Sequence, residues 1–201
     1  MLTPKLRKKY EKLVLELRYL TADYEYHRMA YTDAQDRFAT EFEEWRQAEN
    51  LLSPSEHSPD SDADEVAEVV ALEDEQTRRR VEVVANTLFK KIAKETHPDK
   101  LQHMTAEERE RRAFMFQEAK EASIKREWYR LLCIATDLAI KLPTPSKEHI
   151  VLLESKNREL RDTIAYMQKT YAWVYSQMPN QASKANLFRE FANTVGYIAA
   201  E

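Results

Sequence analysis

One helical period runs through the first quarter of this chain. Over residues 5–49, apolar side chains recur at alternating steps of four and three, the spacing of a coiled-coil seam. The seam consists of Leu6, Tyr10, Leu13, Leu17, Leu20, Tyr24, His27, Tyr31, Ala34 and Phe38. A stutter follows at Phe42 and Trp45, and stutters locally unwind a supercoil. The pattern predicts one long helix in the region 1–50. Its large aromatic residues favour either an intramolecular antiparallel pair or a small bundle over a parallel dimer.

Glycine is almost absent, with one residue in 201. Sheets and tight turns need more glycine, because glycine supplies the positive φ angles that such turns require. The chain also has 33% charged residues and a mean hydropathy of −0.70. These values predict an all-α fold whose helices have wide solvated faces.

A second region of heptad spacing lies near the C-terminus. Over residues 146–178 the steps of three and four continue through Ile150, Leu153, Asn157, Leu160, Ile164, Met167, Tyr171 and Val174. A polar residue such as Asn157 in a seam typically fixes its register. We expect the two long helices to pack antiparallel on each other, with self-association as the competing solution. Residues 180–201 are predicted to form a short terminal helix and tail.

The region between the two heptad segments is divided in two. Residues 51–64 contain two prolines, four serines and three aspartates, a composition typical of a flexible linker. Residues 65–142 form a helical module, and acidic residues continue from the linker into its start. Those acidic residues are either an electrostatic decoy for a basic helix or a solvated face.

Residues 87–100 predict a basic helix that ends at a fixed bend. Lys94 follows Lys90 by four residues and Lys91 by three, so the three lysines are predicted to share one face. Three apolar residues point the other way: Leu88, Phe89 and Ile92. Pro98 ends the helix, because proline has no N–H to donate. His97 and Asp99 are therefore presented together at the tip of a positively charged helix.

This segment resembles the J-domain of DnaJ-like co-chaperones, in which a basic second helix runs into a His-Pro-Asp loop and a third helix. Phe89 and the Ile92–Ala93 pair fall where the family has an aromatic residue and a Leu-Ala pair. Residues 116–122 look like the third-helix signature, and Thr105 with Glu108 forms a capping box that starts that helix. The resemblance covers residues 64–125. The family's Tyr-Tyr and Leu-Gly motif of the first helix is missing, and Val66, Val69 and Val70 are the only substitute for that helix.

The resemblance implies a fold and a partner. The fold would be a J-domain-like helical hairpin flanked by two long coiled-coil helices. The partner would be a DnaK-type seventy-kilodalton heat-shock chaperone, whose ATP hydrolysis the loop stimulates. The residues carried over to this role are His97, Pro98, Asp99, Lys90, Lys91, Lys94 and Lys100. Without zinc repeats or a Gly/Phe-rich segment, the chain would belong to the minimal class, whose coiled-coil helices select an unknown client or a location.

The sequence gives little support for catalysis, metal or cofactor binding, or nucleic-acid binding. His97 and Asp99 have no third group placed to form a catalytic triad, so we expect no enzyme activity. The other histidines and Cys133 lack metal-ligand spacing, and no phosphate-binding loop suggests a cofactor. A net charge of −4 argues against nucleic-acid binding. The single cysteine and the lack of a membrane-length apolar run lead us to expect a cytoplasmic protein.

The sequence leaves one alternative function open. The abundance of heptad surface, beside a degenerate first J-domain helix, also fits a structural or assembly protein, of the kind a phage encodes, that uses a J-like scaffold. Such a protein would form homo-oligomers through its coiled coil.

Overall fold

A computed structural model describes residues 3–52, 75–142 and 144–199, and within them the fold is all-α, as predicted. Eight helices and two short strands make up this part of the chain. The helices are α1 (Pro4–Ala48), α2 (Glu75–Glu95), α3 (Pro98–Leu101), α4 (Ala106–Ile124), α5 (Trp128–Asp137), α6 (Lys147–Lys169), α7 (Tyr171–Ser176) and α8 (Gln181–Val195). The strands are β1 (Leu51–Leu52) and β2 (Ile198–Ala199).

The chain forms two compact units that cut across the domains predicted from the sequence. The first unit holds α1 up to Thr21, α2 to α5, and α6 up to Glu159. The second unit holds α1 from Ala22 onward, α6 from Leu160 onward, and α7, α8 and both strands. The two long helices therefore supply core residues to both units.

The two long helices pack on each other in parallel, so the predicted antiparallel arrangement is wrong. In the first unit the Tyr10 ring lies 6.5 Å from the His149 ring, and the Asn157 amide donates to the Leu13 carbonyl oxygen at 3.1 Å. Contacts thus advance in the same direction along both helices. A short loop would force an antiparallel pair, but α2 to α5 intervene here. They return the chain to the N-terminal part of α1, where Arg18 pairs with Asp137.

Seven of the ten residues in the predicted α1 seam are buried and the other three are half-buried. The end of this helix forms an aromatic core in the second unit. Phe38 and Phe42 are under 9% exposed. Their rings lie 5.0–5.9 Å from each other and from the aromatic rings of α7 and α8 that they meet. The partner rings are Tyr175, Phe188 and Phe191. Several aromatic rings from three helices therefore pack together, which is the small-bundle alternative of the two that the aromatic seam favoured.

The hairpin predicted for the central module is present. α2 and α4 run antiparallel, with Phe89 stacked on Phe116 at 6.4 Å and Arg112 donating to the Glu95 carbonyl oxygen at 3.3 Å. The sequence left open whether the third helix continues into the next, and the chain in fact turns between α4 and α5. Arg126 adopts a left-handed φ of 57°, and the Glu127 N–H bonds back to the Ala122 carbonyl oxygen at 2.8 Å. α5 then packs against both α2 and α4.

Two local boundaries differ from the sequence reading. Leu51 and Leu52, predicted to begin the linker, form β1 and pair antiparallel with β2. The C-terminal heptad helix is broken at Thr170, whose hydroxyl donates to the Met167 carbonyl oxygen at 2.7 Å and accepts from the Trp173 N–H at 3.4 Å. These bonds replace helical backbone bonds and start α7. Residues 53–64 of the predicted linker and the three valines proposed for a first J-domain helix lie outside the described residues.

Asn157 occupies the seam position that the sequence indicated. Its side chain is fully buried and donates to the Leu13 carbonyl oxygen. The side-chain N–H group meets this carbonyl oxygen at the observed register and would miss it at the neighbouring ones. Asn157 therefore selects the observed alignment of α6 on α1.

Because glycine is scarce, turns in this protein use other residues in left-handed conformations, which gives a stability test. Ala139 follows α5 with φ 53°. Ala139→Gly should stabilise the protein by about 1 kcal/mol, because glycine relieves the strain at positive φ. The matched control Ala113→Gly, at an exposed position inside α4, should lose about 1 kcal/mol. Urea unfolding measures the free energy of unfolding of both variants. If the two substitutions changed it in the same direction, Ala139 would not be strained at its positive φ.

The cap at the start of α6 predicts that the stability of the protein depends on pH. The His149 side chain accepts from the Ser146 N–H at 3.3 Å, and the Ser146 hydroxyl accepts from the His149 N–H at 3.2 Å, a reciprocal cap. Burial lowers the pKa of His149 below 6.5. The unfolded chain therefore binds a proton first, and stability is lost as pH falls from 6.5 through the folded-state pKa.

His149→Gln should remove this part of the pH dependence, because glutamine keeps an acceptor at the same cap position without titrating. The pH dependence of stability is measured as the difference between melting temperatures at about pH 8 and about pH 5.5. The wild type should lose more stability over that interval than the variant, and His103→Gln, at an exposed position, should behave as the wild type. An equal loss in all three proteins would show that the cap does not titrate.

Candidate partner-binding site

Burial on one side of α2 sets which of its side chains face outward. Leu88 and Ile92 are fully buried, and Val81 and Ala85 continue the same buried row. α2 packs against α5 and α4, so this buried side of the helix faces the core of the unit. Phe89, beside the row, is half-buried against Phe116. The rotation of α2 is thereby fixed, with Leu88 and Ile92 turned inward as the sequence predicts.

Two of the three predicted lysines lie on the outer face. Lys90 and Lys94 are exposed and one helical turn apart. Lys91 lies about 100° round the helix from Lys90. It is half-buried, and its ammonium group donates to the Lys141 carbonyl oxygen at 2.8 Å. Lys91 therefore ties α2 to the segment after α5, whereas Lys90 and Lys94 form the positive surface.

A buried residue caps the C-terminal end of α2. Thr96 is only 3% exposed, and its hydroxyl donates to the Ile92 carbonyl oxygen at 2.8 Å. Leu101, at the other end of the short helix α3, is 6% exposed. The tripeptide 97–99 thus lies between two buried anchors, and this restricts how far it can move.

His97, Pro98 and Asp99 form an exposed turn. His97 caps α3: its ring nitrogen Nδ1 accepts from the Asp99 N–H at 3.4 Å, and Pro98 occupies the first helical position, which proline favours. The side chains of His97 and Asp99 are 61% and 81% exposed. Nδ1 also lies 3.4 Å from an Asp99 carboxylate oxygen, so a protonated ring would pair with that carboxylate.

Charged groups brace this turn against α4. Lys100 pairs with Glu95 at 2.9 Å, and this hydrogen bond is the main reason that the pKa of Glu95 is lowered. Arg112 donates to the Glu95 carbonyl oxygen and, at 2.8 Å, to Glu108. Hydrogen bonds from Arg112 and then Arg111 lower the pKa of Glu108. Both carboxylates are therefore held in their charged form.

The structure brings the predicted residues together at one end of α2, with two qualifications. Lys91 is half-buried and bonded to the Lys141 carbonyl oxygen, and Lys100 is exposed but paired with Glu95. The other five predicted residues are exposed: His97, Pro98, Asp99, Lys90 and Lys94. Sequence reasoning missed three residues that hold the turn: Thr96, Leu101 and Arg112. The i,i+4 spacing of Glu108 and Arg112 was readable, but the bond from Arg112 to α2 depends on the packing of the hairpin.

The described residues show neither a metal-ligand cluster nor a membrane-spanning helix. In them, no group of three or more histidine, cysteine or carboxylate side chains could hold a metal ion. None of the helices in the same part of the chain is both long and apolar enough to cross a membrane.

No protein-family model matches the sequence, and neither does any curated protein or solved structure in the comparisons. The functional interpretation therefore depends on the residues and geometry of this site.

Proposed function

We propose that this protein is a J-domain-like co-chaperone that binds a DnaK-type heat-shock chaperone and stimulates its ATP hydrolysis. The proposal rests on one observation. A His-Pro-Asp turn is exposed at the end of a helix whose outer face bears Lys90 and Lys94. This arrangement is similar to the contact surface of the J-domain family, to which the sequence bears a resemblance.

The turn is suited to binding because it is already ordered. Thr96 and Leu101 anchor it on both sides, so docking costs little conformational entropy. Asp99 offers a carboxylate to a cationic group such as an arginine, and His97 offers a ring N–H or lone pair. A partner chaperone would supply the ATP site and the chemistry.

The outer lysines give the association its electrostatic component. Exposed charges of one sign accelerate encounter with an oppositely charged surface and make it sensitive to salt. Lys90 and Lys94 are available for this purpose in the structure as it stands. Lys100 would join them only by exchanging its surface pair with Glu95 for the partner, an exchange that costs little because exposed ion pairs are weak.

The central prediction concerns the turn. The intact protein should raise single-turnover ATP hydrolysis by a DnaK-type chaperone, and His97→Gln should abolish that increase. The matched control is His103→Gln, an exposed histidine six residues further on, which should stimulate as the wild type does. Absence of stimulation by the wild type with chaperones from several sources, or equal stimulation by both variants, would overturn the proposal.

A second prediction separates the two kinds of lysine. Lys90→Glu together with Lys94→Glu should raise the Kd for the chaperone by about tenfold or more and flatten its salt dependence. Lys91→Gln should mainly lower thermal stability, because it removes the bond to the Lys141 carbonyl oxygen. Lys120→Glu, an exposed charge reversal on α4, is the control for net charge. Binding that responds equally to the α2 and α4 reversals would count against a docking surface on α2.

A further inference from the structure

α1 carries a second heptad row on the side opposite its buried seam. Its steps alternate three and four without a fault, and every member is exposed. We call it the outer row, and it consists of Lys5, Lys8, Lys12, Leu15, Tyr19, Ala22, Tyr26, Met29, Asp33 and Asp36. All of these residues belong to one uninterrupted helix, so their shared face follows from the helical period alone.

The middle of the outer row is apolar and exposed to solvent. Leu15, Tyr19, Tyr26 and Met29 are 62–68% exposed. Single exposed apolar residues are ordinary, but four in heptad register along about 21 Å of helix form a continuous strip. Ala22, at the centre, is the small residue that lets another helix approach closely.

The charges at the two ends of the row indicate what covers this strip. The N-terminal end carries only lysines, and the C-terminal end carries only aspartates. A second copy aligned in parallel would place lysine against lysine and aspartate against aspartate. A second copy aligned antiparallel would place each lysine end beside an aspartate end and keep the apolar middle sections together.

We propose that the outer row of α1 is a homodimer interface, in which two copies of this chain pair antiparallel about a two-fold axis near Ala22. A row that is basic, apolar and acidic in turn is complementary to itself under such an axis, as an isologous contact requires. The proposal is independent of the co-chaperone function, because it uses none of the residues around α2 and α3.

Cysteine cross-linking tests the orientation. In a Cys133→Ser background, Ala22→Cys should form a disulfide-linked dimer on mild oxidation, because the two copies of residue 22 lie near the axis. Leu15→Cys should not cross-link to itself, since its two copies would lie more than about 15 Å apart along the helices, beyond disulfide reach. Efficient cross-linking of Leu15→Cys would show a parallel pair and overturn the proposal.

Sedimentation equilibrium over roughly a hundredfold range of concentration tests the interface itself. The mass should rise from 23.7 kDa towards twice that value. Lys8→Glu with Lys12→Glu should weaken the dimer, and adding Asp33→Lys with Asp36→Lys should restore it, which excludes misfolding as the cause.

The matched control is Val151→Ser with Tyr166→Ser. These two side chains are exposed on α6 to a similar degree, and their loss should leave the dimer unchanged. A monomer at every concentration would overturn the proposal. A dimer indifferent to the charge reversals would overturn it as well.

Discussion

The burial of Leu88 and Ile92 is the interaction on which the candidate site depends. These fully buried side chains fix the rotation of α2 against α4 and α5. With that rotation set, Lys90 and Lys94 face outward and Lys91 lies at the edge, tied to the Lys141 carbonyl oxygen. A rotation of one residue would move a lysine toward the core, where an unpaired charge is costly. Core packing and surface charge are thus set by one constraint.

The scarcity of glycine shapes the rest of the chain. With one glycine, helices must end by other means, and the described residues show proline at position 98, side-chain caps, and left-handed Asn50, Arg126 and Ala139. Each of these helix ends is formed by residues close together in the sequence and does not depend on a β-sheet. In the described residues from α2 to α5 the helices are joined by short turns, and the His-Pro-Asp turn is one of these connections. In this turn the side chains of His97 and Asp99 are 61% and 81% exposed.

Periodicity predicted helices well and their mutual direction poorly. The seam through Tyr10, Leu13 and Phe38 was readable because burial on one helix face leaves a repeat in the sequence. The parallel pairing of α1 with α6 was not readable, since a heptad seam is compatible with either direction and the intervening helices decide. The break at Thr170 was also missed, because a hydroxyl that replaces a backbone bond leaves the apolar spacing intact. Likewise, the bond from Arg112 to α2 exists only after the hairpin has formed.

The central claim is that the outer face of α2 and the turn after it form the chaperone-docking surface. Backbone amide NMR of the isotope-labelled protein, titrated with an ATP-bound DnaK-type chaperone, tests this claim most directly. The account predicts that signals are first perturbed at Lys90, Lys94, His97 and Asp99, and that the effect fades with added salt. Perturbations centred on α8 or on the outer row of α1, with the α2 turn unaffected, would contradict it.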